Sequence, residues 1–205
     1  MTLLNSQLIV EQSIVKDEWQ TVDVPKINQE VKKQAGKVVL FKLTGEDYPT
    51  EEQIIQTVLP STGKILLPLK VLIRHQENLQ GRIENQEIGF WLSTHEELEN
   101  SVSLLGDINR YPLVAVHVDK FSDGRIFSLG NQLRNKHGFK NTLRAFGDVL
   151  RDQLFFLKRS GFNSYLIRQD RDPIDALKGL GDFSEPYQGA LDIKDPAWKR
   201  IKRSS

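Results

Sequence analysis

The stretch Leu113-Val114-Ala115-Val116-His117-Val118, followed at once by Asp119-Lys120-Phe121-Ser122-Asp123-Gly124-Arg125, decides the fold. An apolar run broken only by His117 predicts a strand covered on both faces, the habit of parallel sheets. The charged, glycine-containing segment behind it is turn chemistry. The same unit recurs on both sides. Upstream, Ile88-Gly89-Phe90-Trp91-Leu92 predicts a short strand, with Ser93 or Thr94 capping a helix whose apolar face is Leu98, Val102 and Leu105. Downstream, Leu129 and Leu133 mark a helix over 128–136 that Gly138 stops. Residues 142–146 predict the next strand, Asp148 opens a helix running to Arg159 that Gly161 ends, 164–167 predict another strand, and 173–180 another helix. Four strand–helix pairs joined by a few residues imply parallel strands with right-handed crossovers. The fold class is therefore α/β, a mostly parallel sheet of successive βα units. An open doubly wound sheet and a half-barrel both fit, since four units are too few to close an eight-stranded barrel.

The N-terminal part reads differently. Leu8-Ile9-Val10 and Gln20-Thr21-Val22-Asp23-Val24 predict a β-hairpin around the polar Lys16-Asp17-Glu18, with Trp19 over one edge of the core. Residues 25–36 read as a loop or a weak helix, and 38–41 as a buried strand. Thr50 is placed to cap a short helix that begins with two glutamates, Pro60-Ser61-Thr62-Gly63 marks a turn, and 68–80 predicts a helix ended by Gly81. The chain thus divides into a hairpin with a variable extension (1–64), a βα-repeat domain (65–190) and a basic tail (191–205).

Composition narrows the chemistry. With 205 residues, 39% hydrophobic and 27% charged, the chain has ordinary globular proportions and can bury a full core. A formal net charge of +1 supplies no electrostatic reason for a nucleic-acid or membrane partner. No cysteine is present, which removes thiol catalysis, disulfides and any iron–sulfur cluster on this chain's own thiolates. The first ten residues lack a basic segment with a long apolar core, and no apolar run approaches a membrane span. The expectation is a soluble, cytoplasmic protein.

Ligands in parallel α/β folds bind beyond the carboxyl ends of the strands. The polar residues expected there are Lys120, Asp123 and Arg125 after one strand, Asp148, Arg151 and Asp152 after the next, and Arg168 after the last. Their cations could surround a small oxyanion, with the carboxylates orienting them or moving protons. Asp123-Gly124 also makes a good turn, and Asp148 an N-cap, so capping and packing account for the same residues. The four histidines, His75, His95, His117 and His137, show no metal-ligand spacing, and His117 reads as a satisfied core or interface histidine. Neither a dinucleotide fingerprint nor a nucleophile elbow occurs, and no metal site is expected. Phe155-Phe156 is wider than one helix face and leaves room for a partner surface.

Three segments carry a resemblance: Phe121-Ser122-Asp123-Gly124-Arg125-Ile126-Phe127-Ser128, Phe146-Gly147-Asp148-Val149-Leu150-Arg151-Asp152-Gln153-Leu154, and Asp182-Phe183-Ser184-Glu185-Pro186-Tyr187-Gln188. In order and spacing they resemble the hallmark segments of the bacterial Domain of Unknown Function 934 family, as does Lys16-Asp17-Glu18-Trp19. The resemblance covers about 87–190 strongly and 25–64 weakly. Family members are commonly encoded beside sulfite reductase and are often labelled oxidoreductases. The resemblance therefore implies a role in assimilatory sulfite reduction, with sulfite reductase as partner, and leaves catalytic residues and cofactor unknown. A redox cofactor would have to be bound without thiolates or belong to the partner. A half-barrel or open sheet with apolar edges also makes a homodimer reasonable.

Overall fold

The computed structural model describes residues 7–25 and 49–200. Eight strands form one sheet: β1 (Leu8–Val10), β2 (Ser13–Val15), β3 (Trp19–Thr21), β4 (Lys64–Pro68), β5 (Ile88–Ser93), β6 (Leu113–Val118), β7 (Thr142–Gly147) and β8 (Ser164–Leu166). Their order is β2-β1-β8-β7-β6-β5-β4-β3. From β3 to β8 all neighbours are parallel, and β1 lies antiparallel to both β8 and β2.

Parallel strands that follow one another in space as they do in sequence need every right-handed crossover on the same face. The sheet is therefore wound one way and not doubly. The helices are α1 (Glu51–Gln56), α2 (Leu69–His75), α3 (Gln80–Glu84), α4 (Leu98–Leu105), α5 (Arg125–Asn131), α6 (Leu154–Arg159), α7 (Pro173–Lys178) and α8 (Ala197–Arg200). The main core joins helix residues such as Leu72, Val102, Leu129 and Leu157 to one set of alternating strand residues, among them Ile65, Phe90, Val116 and Ala145. The other set faces away from the helices.

The order of the strands also dictates curvature. The two edge strands, β2 and β3, are consecutive in the chain and joined by residues 16–18 alone. Val15 and Trp19 can lie at most about 14 Å apart on a trans chain. The edges of a flat eight-stranded sheet would lie about 34 Å apart. The sheet must curl, and it forms a half-barrel.

Its concave face carries residues in rungs set by the strand register. Leu66, Gly89 and Leu113 form one rung, Trp91, Ala115, Arg144 and Ser164 the next, and Ser93, His117 and Phe146 the one nearest the carboxyl ends. The 16–18 link lies against this face. Arg144, only 3% exposed, donates from Nη1 to Asp17 Oδ2 at 2.9 Å and from Nε to Ser164 Oγ at 3.2 Å. Burial lowers the pKa of its guanidinium, and Asp17 opposes that. Trp91 Nε1 donates to the Val22 carbonyl at 3.2 Å, tying the chain beyond β3 to the same face.

Several sequence expectations are corrected. The hairpin pairs 8–10 with 13–15, not with 20–24; Glu11 turns it with φ 53°, a left-handed conformation that no glycine or asparagine announced. Residues 19–21 instead form a parallel edge strand beside β4, itself a strand not assigned from the apolar run 65–69. The helical path begun at 69 passes Gly81 and continues to 84, because burying Leu79 and Ile83 outweighs a glycine cost of about 1 kcal/mol. The helix expected over 128–136 starts at 125 and finishes as a π turn over 132–136. The expected loop or weak helix over 25–36 and strand over 38–41 lie outside the described residues from residue 26 onward. Thr50 does cap α1, through a full capping box with Gln53. Among the described residues no helix is long and apolar enough to cross a membrane.

Candidate functional site

The carboxyl ends of β5 to β8 bring together the loop 119–125 and its neighbours. That loop is pinned from both sides. On the β5 side, buried Thr94 donates its hydroxyl to Asp123 Oδ2 at 2.5 Å. Asp123 also accepts a two-pronged contact from Arg125, Nε to Oδ1 at 2.8 Å and Nη2 to Oδ2 at 2.6 Å. Arg125, and after it Thr94, hold the Asp123 carboxyl down to about 2, far below the usual carboxylate range. Thr94 therefore braces this loop and does not cap α4, whose N-cap position is Glu97.

On the β7 side, Asp148 Oδ2 accepts the Phe121 N–H at 2.9 Å, and Gln153 Nε2 donates to the Phe121 carbonyl at 2.7 Å. The other Asp148 oxygen accepts Arg168 Nη1 at 2.7 Å. The Phe121 N–H and then Arg168 lower the pKa of Asp148. Asp148 is thus a loop brace, not the N-cap of the next helix, which opens with a 3-10 turn over Arg151–Gln153. Arg168 is shared with Asp170, at 2.6 Å from Nε.

Of the seven residues predicted from sequence, Asp123, Arg125, Asp148 and Arg168 gather around this loop, and Lys120 stands exposed on it. Arg151 and Asp152 do not join them. Arg151 bonds Asp182 at 2.8 Å and approaches Asp175, across a separate cleft of about 290 Å³ that Asp152 also lines. Each arginine of the set already faces a carboxylate. A small oxyanion entering here competes with carboxylates in place.

Other groups at the same end were not among the site residues chosen from sequence. The His117 side chain lies on the concave face, 31% exposed, and is not a core histidine. Its Nδ1 is 3.1 Å from Asp119 Oδ1. Phe146 lies 4.8 Å and Trp91 5.7 Å from its ring, in tilted and edge-on contacts. Gly147 makes the fit possible: with φ 97° and a hypothetical Cβ 2.4 Å from the Val118 carbonyl and 2.9 Å from His117 Nε2, no other residue suits it. Between β5 and α4, burial pushes the Glu96 carboxyl up to about 7, with Lys70 and a Ser93 backbone hydrogen bond opposing. Its Oε2 is buried without a hydrogen-bond partner among the described residues. Burial also lowers the pKa of His95, with Asp119 and Asp123 opposing and Arg125 and Lys70 reinforcing. Strict alternation along β5, β6 and β7 would have put Trp91, His117 and Phe146 on one face; the continuous apolar pattern hid it. Among the described residues no three histidine or acidic side chains come together in a way that could hold a metal ion.

No curated protein and no solved structure matches the chain. The family model described as a bacterial protein of unknown function, DUF934, matches residues 89–198, from the second residue of β5 into α8. That span includes the braced loop, Phe146-Gly147-Asp148 and Arg168, and it exceeds half of the 205-residue chain. The chain belongs to the DUF934 family.

Proposed function

We propose that the protein is an accessory component of assimilatory sulfite reduction, working in the cytoplasm by docking on the reductase. The pathway rests on what the family resemblance implies. The observation that carries the mode of action is an aromatic patch on the helical side. Phe156 and Phe183 are 50% and 57% exposed, and their rings lie 6.3 Å apart. Half-buried Phe127 extends the patch, 6.5 Å from Phe156, while Phe155 beneath it is buried and contacts both exposed rings. Adjacent exposed aromatic rings are the usual anchors of protein interfaces. An oxidoreductase role within this reading draws its cofactor from the partner, or binds one without thiolates.

The test is capture of purified sulfite reductase on the immobilised full chain. Binding by the wild type, weakened at least about tenfold in Phe156→Ser/Phe183→Ser, supports the reading. No binding by the wild type overturns it, and self-association of the chain through the same residues would make the patch a homodimer contact instead. The second reading, a small-oxyanion binder, draws on Lys120, exposed on the same braced loop as Arg125. Calorimetric titration with sulfite, sulfate and phosphate decides it, and the absence of saturable heat for all three removes it.

A further inference from the structure

We propose that the concave face holds a proton-accepting small-ligand site in which His117 is the base, Asp119 its positioning residue, and Trp91 and Phe146 the walls. This stands apart from docking, since it uses the opposite face of the sheet. The Asp119 carboxylate lies 3.1 Å from Nδ1, a placement that favours the ring tautomer protonated there and leaves Nε2 as the acceptor. Among the described residues no group bonds Nε2, and it is not among the buried unpaired atoms. A base oriented by a carboxylate, with its second nitrogen open, is the arrangement that general-base chemistry requires.

The location agrees. His117 belongs to the last concave rung, between Ser93 and Phe146, at the carboxyl end of a central parallel strand. That end is where one-way-wound β/α sheets keep their sites. The walls set the ligand class. Trp91 and Phe146 lie 5.8 Å apart, nearly perpendicular, and both meet the histidine ring. The three rings pack on one another as one aromatic surface, on which a flat ring finds stacking and edge contacts. The site takes a flat, weakly acidic ring compound that presents an N–H or O–H to Nε2. In the step itself the proton passes from that group to Nε2, leaving the ligand as its conjugate base. The imidazolium formed is balanced by the Asp119 carboxylate.

The probe is 4-nitrophenol, flat, weakly acidic and coloured when it loses its proton. Titrated into the full chain at neutral pH, it should bind saturably, quench tryptophan fluorescence and gain phenolate absorbance. His117→Asn keeps a donor toward Asp119 but removes the acceptor, so binding should fall at least about tenfold. Trp91→Leu should weaken binding and abolish most of the quenching. Nitrogen-15 spectra should show His117 protonated at Nδ1 in the wild type and at Nε2 in Asp119→Asn, a change that a merely structural contact would not require. No saturable binding, or equal binding by the wild type and His117→Asn, overturns the site. A wild-type Nε2–H tautomer overturns the role of Asp119.

Discussion

The two ends of the half-barrel both use polar side chains to hold loops, but only one end does so with paired charges. At the amino-terminal end, side chains serve the main chain. Arg134 donates to the carbonyls of Gly161, Phe139 and Asn141 at 2.7–2.9 Å. Asn141 donates to the carbonyls of Asn109 and Tyr111, Asn109 accepts the Lys140 N–H, and Asn163 accepts the Leu143 N–H. Most of these bonds satisfy a part-buried loop group, which locks the connections between strands. At the carboxyl end, the side chains that brace the loops are themselves charged and paired, Asp123 with Arg125, Asp148 with Arg168 and His117 beside Asp119, while Glu96 is buried without a bond at Oε2. One end is built for rigidity, while the other holds ionisable groups in fixed positions, the division expected between the two ends of a β/α sheet.

Three changes would break or sharpen this contrast. The largest effect should come from Arg134→Ala, which strips the donor from three carbonyls and should cost about 3–4 kcal/mol in denaturant unfolding. Binding of 4-nitrophenol by the folded fraction should not change; a loss there would erase the distinction between the ends. Gly147→Ala comes next, at about 2–3 kcal/mol, because alanine meets both a forbidden φ and the Val118 carbonyl. It should also move the His117 imidazole resonances, linking backbone geometry to the site. Glu96→Gln is the smallest and has the opposite sign. Burial pushes the folded carboxyl up to about 7, above its unfolded value, so its contribution is fully present below the unfolded value and is lost as pH rises from there to about 7. At pH about 8.5 the glutamine variant should be more stable than wild type by about 2 kcal/mol, and near pH 4, below the unfolded value, the two should match. Urea midpoints at both pH values check it, and a pH-independent difference would show that Glu96 is not a buried acid.

Much of this was legible along the chain. The periodicity of 87–180 located the four parallel strands β5 to β8 and the helices among them, because each strand is an apolar run and each helix a spaced apolar stripe. Asp123, Arg125, Asp148 and Arg168 could be placed at strand ends for the same reason. Their work could not be read. Asp148 has the spacing of an N-cap, yet its oxygens bond Phe121 and Arg168, contacts across 27 and 20 residues. Thr94 likewise looks like a cap and instead reaches Asp123. Local spacing describes local competition only, and these side chains are claimed by distant partners.

The sequence by itself determined the βα repeat, the end of the sheet where polar groups collect, and the chemistry denied to a chain without cysteine. Those are consequences of composition and short-range periodicity. Tertiary structure decided that β2 and β3 become the two edges of one sheet, that three linking residues force it to curl, and that Arg144 holds the link through Asp17. It also decided which way His117 faces. A strand apolar on both sides has no inner face until its neighbours pack, and only the packing of the connecting helices on one side turned Trp91, His117 and Phe146 toward the other.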